Sequence, residues 1–302
     1  MRYLAIVSVL WAFSFGLIGS ALAGVDAYFV ATARLGCATL LFLPWLRPKA
    51  IGRQASLRLI AIGAIQFGLM YVCYMKAFEY LPSHLVALFS ILTPVYVVLI
   101  HDISHKRFSP HYLLAALLSV TGAAAIKIQG APSGSIWIGF GLMQLAGLSF
   151  AYGQLAYRAW KRHHPSIHNT TVFALLTLGG TICAGAFSVC FADRAALVVT
   201  PSQWQAILYL GCIASGLGFF LWNKGAVLCN AGVLAAFNNA VVPLAVFFSL
   251  FVFGEIAAIS AEALLRFVFG GLLVGMAVVV GQKQSVSLPE NECARRSGSG
   301  TR

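Results

Sequence analysis

Ten long stretches of apolar residues follow one another along this chain, separated by short polar connections. Each has roughly the 20 residues that an α-helix needs to cross about 30 Å of bilayer hydrocarbon. The predicted helices cover residues 3–23, 25–45, 57–78, 84–103, 111–129, 136–157, 170–191, 204–228, 231–253 and 264–282. Hydrophobic residues make up 60% of the chain and charged residues only 9%, which excludes a soluble globular protein. The stretches lack the short-period alternation of a membrane β-barrel, so we predict an all-α integral membrane protein.

Lys and Arg residues are concentrated in every second connection. If the N-terminus is placed in the cytoplasm, fifteen basic residues fall on the cytoplasmic side and four on the outer side. Because basic residues are retained on the cytoplasmic side, this count predicts that both ends of the chain are cytoplasmic. The polar segment 283–302 is then a disordered cytoplasmic tail. The net charge of +12 therefore reflects topology, and we predict no nucleic-acid partner.

The chain contains an internal repeat. Pro94 and Pro243 lie 149 residues apart, and the first two helices of each copy align at an offset of 139. The copies, residues 3–129 and 136–282, each contain five predicted helices. Because five is odd, the second copy must enter the membrane from the opposite side. Such inverted repeats enclose a cavity near the midplane that opens to either side, which predicts a carrier of small solutes.

The two equivalent prolines lie inside predicted helices. A proline there removes an amide donor and clashes with the carbonyl four residues earlier, which belongs to Ser90 in one copy and to Asn239 in the other. We interpret Pro94 and Pro243 as hinges; a packing kink is the alternative. Asn238 adds a second amide, and such groups in a bilayer need protein partners or a water-filled cavity.

Basic residues occur at membrane depth without acidic ones. Arg34 lies well inside the second predicted helix, where a charge is costly unless it is paired or hydrated. It is either an arginine that reaches for the helix end or the counter-charge of an anionic substrate. Lys76 and Lys224 end the third and eighth helices as interfacial anchors or as gates. All eight acidic residues lie at helix ends, in connections or in the tail, which favours a neutral or anionic substrate.

Aromatic and amide side chains group on the faces of three predicted helices. Gln66 and Tyr74 share one face of the third helix, Trp11 lies on the first, and Trp222 and Asn223 are neighbours on the eighth. Aromatic rings supply an apolar wall with a polar edge. We expect these side chains to line the substrate cavity, with packing inside the bundle as the alternative.

The sequence gives no support for an enzyme, a metal site or a cofactor. Two histidine-containing groups, residues 101–105 and 163–168, lie in or beside connections rich in Lys and Arg. The chain has no phosphate-binding glycine loop and no HExxH pair. Its seven cysteines form no CxxC pair and mostly lie inside apolar stretches, so they read as small buried side chains.

The segment 74–94 and its copy 222–243, followed by Gly-Glu at 254–255, resemble the EamA-type carriers of the drug/metabolite transporter superfamily. The order and duplication of these motifs make the resemblance specific, although Lys106 stands where the first copy would repeat the Gly-Glu. The segment 10–15 narrows the resemblance to the carboxylate/amino acid/amine branch of the superfamily.

The resemblance implies a bacterial inner-membrane carrier that takes up a small carboxylate by alternating access. Arg34 or Lys76 would then neutralise the carboxylate. The expected substrate contacts are Trp11, Arg34, Gln66, Tyr74, Lys76, Trp222, Asn223, Asn238 and Asn239. Export of amino acids or drugs is the alternative within the superfamily, and a membrane protein without transport activity is the alternative outside it.

Overall fold

The computed structural model describes residues 1–22, 24–81, 86, 89–106, 108–127, 136–193, 197–251 and 261–282. Every regular element within these ranges is helical, which agrees with the predicted all-α class. The predicted tail 283–302 and the Gly-Glu at 254–255 lie outside the described residues.

A helix overlaps each of the ten apolar stretches in the described ranges, although the fourth, Thr93–His105, covers only the second half of its stretch. These helices are α1 (Arg2–Ala21), α2 (Ala27–Phe42), α3 (Arg53–Ala77), α4 (Thr93–His105), α5 (Pro110–Lys127), α6 (Ile136–His163), α7 (Asn169–Phe191), α8 (Pro201–Val227), α9 (Ala231–Phe251) and α10 (Ala261–Gln282). A 3-10 turn, Leu43–Trp45, extends α2, and a short helix, Pro48–Ile51, precedes α3. By length and composition, α2 with its 3-10 turn, α3, α6, α7 and α8 are able to cross a membrane.

Side-chain caps fix where two of these helices begin. One carboxylate oxygen of Asp26 accepts the Phe29 amide at 2.8 Å and starts α2. The other accepts the Asp193 amide at 3.1 Å, so the same side chain ties the start of α2 to the end of α7. Thr200 and Gln203 form a reciprocal capping box at the start of α8, which satisfies amides that have no partner within the helix.

The helix packing repeats when the two copies are exchanged. Helix α2 packs against α7 and α5 packs against α10, each pair joining equivalent helices. Helix α1 packs against α8 and α9, and its equivalent α6 packs against α3 and α4. Helices of one copy therefore bury their apolar faces largely against helices of the other copy, and the core lies at the interface between the two.

Two equivalent glycines allow close approaches between helices of the two copies. A Cβ atom at Gly63 would lie 1.9 Å from the carbonyl oxygen of Leu176, and one at Gly211 would lie 2.6 Å from the Cβ of Cys37. The glycines are 148 residues apart, and Cys37 and Leu176 are 139 apart. The same helix contact is thus built twice, with small residues that let helices approach closely in an apolar environment.

Both α3 and α8 widen into a π-helical segment at equivalent places. The segments are Ala64–Leu69 in α3 and Leu210–Leu217 in α8. Each adds a local distortion to the helix, and such segments recur at functional sites. The apolar periodicity of the sequence did not predict them.

The two prolines occupy different positions in their helices. Pro243 lies inside α9, as predicted. Pro94 differs from the prediction, because it lies in the first turn of α4, directly after the 3-10 turn Ser90–Leu92. A proline in the first turn costs no helical hydrogen bond. The carbonyl oxygen of Ser90 accepts the hydroxyl of Thr93 at 2.7 Å.

Candidate functional site: a cavity between the two copies

A cavity of about 140 Å³ lies between the two copies. Side chains from α1, α2, α3 and the start of α4 in the first copy, and from α6, α8 and α9 in the second, form its walls. Four of the predicted substrate contacts line it, namely Trp11, Arg34, Tyr74 and Asn238. The structure therefore brings together residues that are more than 200 positions apart in the sequence.

Arg34 is the charged residue of this cavity. The side chain extends from α2 and is only 2% exposed. Its Nη2 donates hydrogen bonds to the hydroxyl oxygens of Tyr71 at 2.8 Å and Ser215 at 3.3 Å. The guanidinium carbon lies 4.7 Å from the centre of the Tyr71 ring, a distance at which an aromatic face attracts a cation.

In each of the hydrogen bonds around Arg34, the donor is on the side of the guanidinium group and the acceptor lies farther from it. The Ser215 hydroxyl donates to the Leu210 carbonyl within the π-helical segment at 2.8 Å, so the Tyr71 hydroxyl must donate to Ser215, also at 2.8 Å. None of the described carboxylates lies within 4.0 Å of the guanidinium group, and its Nε is buried without a hydrogen-bond partner. Two hydroxyl oxygens and the Met75 sulfur, which accepts from Nη1 at 3.9 Å, thus hold a buried cation that still has unused N–H donors. Unused N–H donors on a buried cation favour the binding of an anion.

Three aromatic rings, those of Trp11, Phe150 and Phe219, form an apolar wall next to this charge, and a fourth, that of Trp222, packs behind them. The Trp11 ring stacks on Trp222 with centroids 4.9 Å apart and meets Phe219 edge to face at 5.2 Å. Phe150, the repeat equivalent of Trp11, lies 6.1 Å away. The indole N–H of Trp11 donates to the Ala214 carbonyl at 2.9 Å, which fixes the ring while its apolar surface remains available.

A separate group of cavity-lining side chains presents hydrogen-bond acceptors. The hydroxyls of Ser14 and Thr93 and the Asn238 amide nitrogen each donate to a backbone carbonyl of their own segment, at 2.8, 2.7 and 2.7 Å. A backbone carbonyl only accepts, so the direction of each bond is fixed. The hydroxyl oxygens and Asn238 Oδ1 are left with free lone pairs. These residues belong to α1, α4 and α9, whereas the Arg34 cluster belongs to α2, α3 and α8.

Three predicted contacts lie behind the aromatic wall and do not line the cavity. Gln66 Nε2 donates to Asn223 Oδ1 at 2.9 Å, and the Trp222 indole N–H donates to Gln154 Oε1 at 2.9 Å. All four side chains are at most 1% exposed. One amide group each of Gln66, Asn223 and Gln154 has no hydrogen-bond partner, so this layer is polar, buried and incompletely satisfied.

Asn239 also lies off the cavity and joins two helices. Its amide nitrogen donates to the Ile91 carbonyl at 2.9 Å, and this bond fastens α9 to the 3-10 turn before α4. The side chain is 1% exposed, and its Oδ1 is buried without a partner. The adjacent Asn238, one residue earlier on the helix, is the amide that faces the cavity.

Lys76 is not among the residues that form the cavity wall. Its ammonium group pairs with Glu79 at 2.5 Å and lies 5.1 Å from the centre of the Tyr28 ring. The equivalent Lys224 lies 4.8 Å from the centre of the Tyr3 ring. Lys76 thus lies at the end of α3 beside Tyr28 of α2, and Lys224 lies near the end of α8 beside Tyr3 of α1. This is the arrangement of an interfacial anchor.

Several cavity residues were not predicted as substrate contacts. Tyr71 adjoins the predicted face of α3, and an offset of 148 maps it onto Phe219 and maps Tyr74 onto Trp222. Tyr74 and Trp222 were already predicted, so alignment of the two copies at that offset would have added Tyr71 and Phe219. Ser215 gave no signal, because it lies in a glycine-rich run that is typical of close helix packing.

The histidine-containing groups remain separate from the cavity. His101 Nδ1 lies 3.1 Å from Asp102 Oδ1, and the rings of His101 and His105 stack with centroids 4.4 Å apart. Among the described residues, no three His, Cys, Asp or Glu side chains group closely enough to hold a metal ion.

Two repeated sets of apolar helices around a cavity that holds a buried cation have the architecture of a membrane carrier of small solutes. The sequence matches the EamA-like transporter family over residues 2–128 and again over residues 136–277. The chain therefore belongs to the EamA-like transporter family. The family resemblance predicted from the duplicated motifs is confirmed.

Named relatives make the comparison more specific. The chain is 40% identical over 266 residues to a "Probable biotin transporter" of Pseudomonas aeruginosa, covering 87% of this chain and 93% of that protein. It is 38% identical to the "Biotin transporter" of Salmonella typhimurium and 37% identical to that of Escherichia coli K12, each over 80% of this chain and 81% of the relative. A protein of known crystal structure with 18% identity superposes with a TM-score of 0.71, covering 92% of this chain and 95% of that one; this shows a shared fold.

Proposed function

We propose that this chain imports biotin across the bacterial inner membrane by alternating access, and that Arg34 binds the biotin carboxylate. The observation that carries the proposal is a buried, cavity-facing guanidinium with neutral partners only among the described residues. The names of relatives that are 37–40% identical over at least 80% of the chain supply the substrate.

The energetics of Arg34 favour an anionic substrate. A charge removed from water is costly unless a counter-charge is present. Tyr71 and Ser215 offset part of this cost as neutral acceptors, and the Tyr71 ring adds a cation–π contribution. A carboxylate would supply the missing negative charge and accept the unused N–H groups, with charge-assisted bonds that are stronger than neutral ones.

The rest of the cavity complements the other parts of biotin. Biotin carries a cyclic urea with two N–H donors, an apolar thioether ring and a carboxylate on an alkyl chain. The acceptor oxygens of Ser14, Thr93 and Asn238 suit the urea N–H groups. The rings of Trp11 and Phe219 suit the apolar part. Arg34, Ser14 and Thr93 belong to the first copy and Asn238 to the second, so one ligand with a donor end and an anionic end would contact both copies.

The duplicated architecture supports alternating access. In the proposal all ten helices cross the membrane, the copies are inverted and both ends are cytoplasmic. The cavity between the copies is then reached from one side at a time as the copies rock against each other. Pro243 inside α9 and the helix break before Pro94 are the proposed hinges. The buried amide layer of Gln66, Asn223 and Gln154 lies behind the wall that would have to part.

Growth and uptake in a biotin auxotroph test the function. Cells that express the chain should grow on trace biotin and accumulate radiolabelled biotin, whereas cells with the empty vector and cells expressing Arg34→Gln should not. Equal accumulation in all three strains would refute biotin uptake. Resistance to a toxic amino-acid analogue, gained without biotin accumulation, would instead favour export of amino acids.

A further inference from the structure

Two side-chain amides from the second copy hold the helix break that precedes α4 of the first copy. Gln144 of α6 donates a hydrogen bond to the Phe89 carbonyl at 3.2 Å. Asn239 of α9 donates to the Ile91 carbonyl at 2.9 Å. A carbonyl oxygen inside a bilayer needs such a partner wherever the backbone departs from a regular helix. Each amide therefore stabilises the broken form of this segment.

The amide of Gln144 contacts both sides of the break. The hydroxyl of Tyr96 in α4 donates to Gln144 Oε1 at 2.8 Å, so the amide nitrogen is the atom that donates to Phe89. Phe89 precedes the 3-10 turn Ser90–Leu92, and Tyr96 follows it. One side chain of α6 thus fixes the two segments that the turn separates.

The second copy lacks the side chains that would make an equivalent break. At the offset of 139 Gln144 corresponds to Ala5, and at the offset of 149 Tyr96 corresponds to Ala245. An alanine side chain has no polar atom, so neither residue is able to form the equivalent hydrogen bond. Within the described residues, the helix α9 accordingly continues through Pro243.

The break places Thr93 at the cavity. Thr93 is the first residue of α4 and lines the cavity, and its hydroxyl donates to the Ser90 carbonyl at 2.7 Å. A Cβ atom at Gly147 of α6 would lie 2.9 Å from this hydroxyl oxygen. Gln144 and Gly147 are three residues apart, so they share one face of α6. The same helix face therefore caps the break and leaves room for the Thr93 hydroxyl.

We propose that Gln144 and Asn239 are positioning residues for substrate binding, which keep the break formed so that the Thr93 hydroxyl oxygen is presented to the substrate. The inference rests on the proposed function, in which Thr93 accepts an N–H group of the biotin urea. Neither amide belongs to the described residues that line the cavity, so both act through Thr93. Because both amides belong to the second copy, a movement of that copy would withdraw them and release Thr93.

Uptake of radiolabelled biotin at varied concentration tests this positioning role. Gln144→Met keeps the side-chain length but removes the hydrogen bonds, so the half-saturation concentration should rise about three- to tenfold. In the Thr93→Val background the same substitution should add less than about twofold, because the acceptor that Gln144 positions is already absent. Thr177→Val is the control, since the Thr177 hydroxyl is buried outside the cavity and donates to carbonyls of its own helix α7.

Tyr96→Phe is a milder second variant, because it removes only the hydroxyl that orients Gln144. It should raise the half-saturation concentration about two- to threefold, and Thr177→Val should leave it unchanged. Equal factors for Gln144→Met in the wild-type and Thr93→Val backgrounds would show that Gln144 acts independently of Thr93 and would overturn the proposal. Wild-type values in both Gln144→Met and Tyr96→Phe would also overturn it.

Hydrogen exchange in the purified protein separates this inference from the proposed function. The backbone amides of residues 89–96 should exchange about three- to tenfold faster in Gln144→Met and in Asn239→Leu than in Thr177→Val, because the break loses a side-chain partner. If wild-type cells failed to accumulate biotin, the proposed function would be wrong, and faster exchange would still support the holding of the break by the two amides. Unchanged exchange in both variants would overturn it.

Discussion

The side-chain amide of Gln66 donates a hydrogen bond to Asn223 Oδ1 at 2.9 Å, and this bond joins the π-helical segment of α3 in the first copy to α8 in the second. Both side chains are at most 1% exposed. The amide groups left over, Gln66 Oε1 and Asn223 Nδ2, have no partner. The contact between the copies is therefore specific at this point and also energetically incomplete.

Replacement of one partner should cost more than replacement of both. In Gln66→Leu the buried Asn223 Oδ1 loses its hydrogen-bond donor. An unsatisfied buried polar group costs about 1–3 kcal/mol. Gln66→Leu/Asn223→Leu removes both polar groups, so we expect it to be more stable than the sum of the single variants implies. A double-mutant cycle of the unfolding free energy in detergent measures this coupling. Additive losses would show that the two amides do not interact.

Arg34→Gln should strongly weaken biotin uptake while leaving the fold intact. Loss of a charge-assisted bond of about 1.5–3 kcal/mol raises the half-saturation concentration by roughly 10- to 150-fold. The unfolding midpoint should stay the same or rise, because the variant removes a buried cation whose described partners are neutral. Arg34→Lys should retain partial uptake. A large loss of stability with normal uptake in the surviving protein would assign Arg34 to packing instead.

The acceptor side of the cavity should set selectivity for N–H donors. Thr93→Val keeps the shape but removes an acceptor, so biotin should bind about three- to tenfold more weakly. Biotin methylated on a ureido nitrogen should compete poorly for uptake by the wild-type protein. The Thr93→Val substitution should weaken the binding of this methylated form less than it weakens the binding of biotin. Competition for radiolabelled biotin uptake measures both effects, with Ser8→Ala as the control because Ser8 is buried in α1 outside the cavity. Equal competition by biotin and its methylated form would contradict this assignment.

The helices were predictable because a bilayer fixes the length and apolarity of the segments that cross it. The position of Arg34 at the cavity was predictable for the same reason, since a charge within such a segment is rare and usually faces the bundle interior or a cavity. The partners of each polar residue were not predictable. Asn238 and Asn239 are adjacent and chemically identical, yet a rotation of about 100° per residue turns one toward the cavity and the other toward the Ile91 carbonyl.

Gln66 shows another limit of prediction from the sequence, because it was expected to line the cavity and lies outside it. In a regular helix Gln66 would share a face with Tyr74. Gln66 instead lies within the π-helical segment Ala64–Leu69, where the regular helical spacing does not hold. Gln66 is thereby directed to Asn223, whereas Tyr74 lines the cavity. Helical periodicity assumes a regular helix, so it fails where a segment of different pitch intervenes.

Lys76→Gln should change biotin uptake by less than about twofold. The ammonium group is paired with Glu79 at a partly exposed helix end, where an ion pair contributes about 0–1 kcal/mol. Transport kinetics of Lys76→Gln and Arg34→Gln, measured in the same cells, test which of the two predicted cationic residues binds the carboxylate. Loss of uptake in Lys76→Gln at normal expression would return Lys76 to the substrate pathway.

Gly63→Ala should destabilise the protein, whereas Gly141→Ala should not. The added methyl group at position 63 would lie 1.9 Å from the Leu176 carbonyl oxygen, which is backbone and has little freedom to move, while the same group at position 141 would meet nothing within 4 Å. Overpacking of this kind costs about 1–3 kcal/mol, and the exposed helical position gains from alanine's higher helix propensity. Unfolding midpoints of the purified variants rank them. Gly211→Ala should resemble Gly63→Ala, because Gly211 makes the equivalent contact with Cys37; a stable Gly63→Ala beside an unstable Gly211→Ala would show that the two copies do not share this contact.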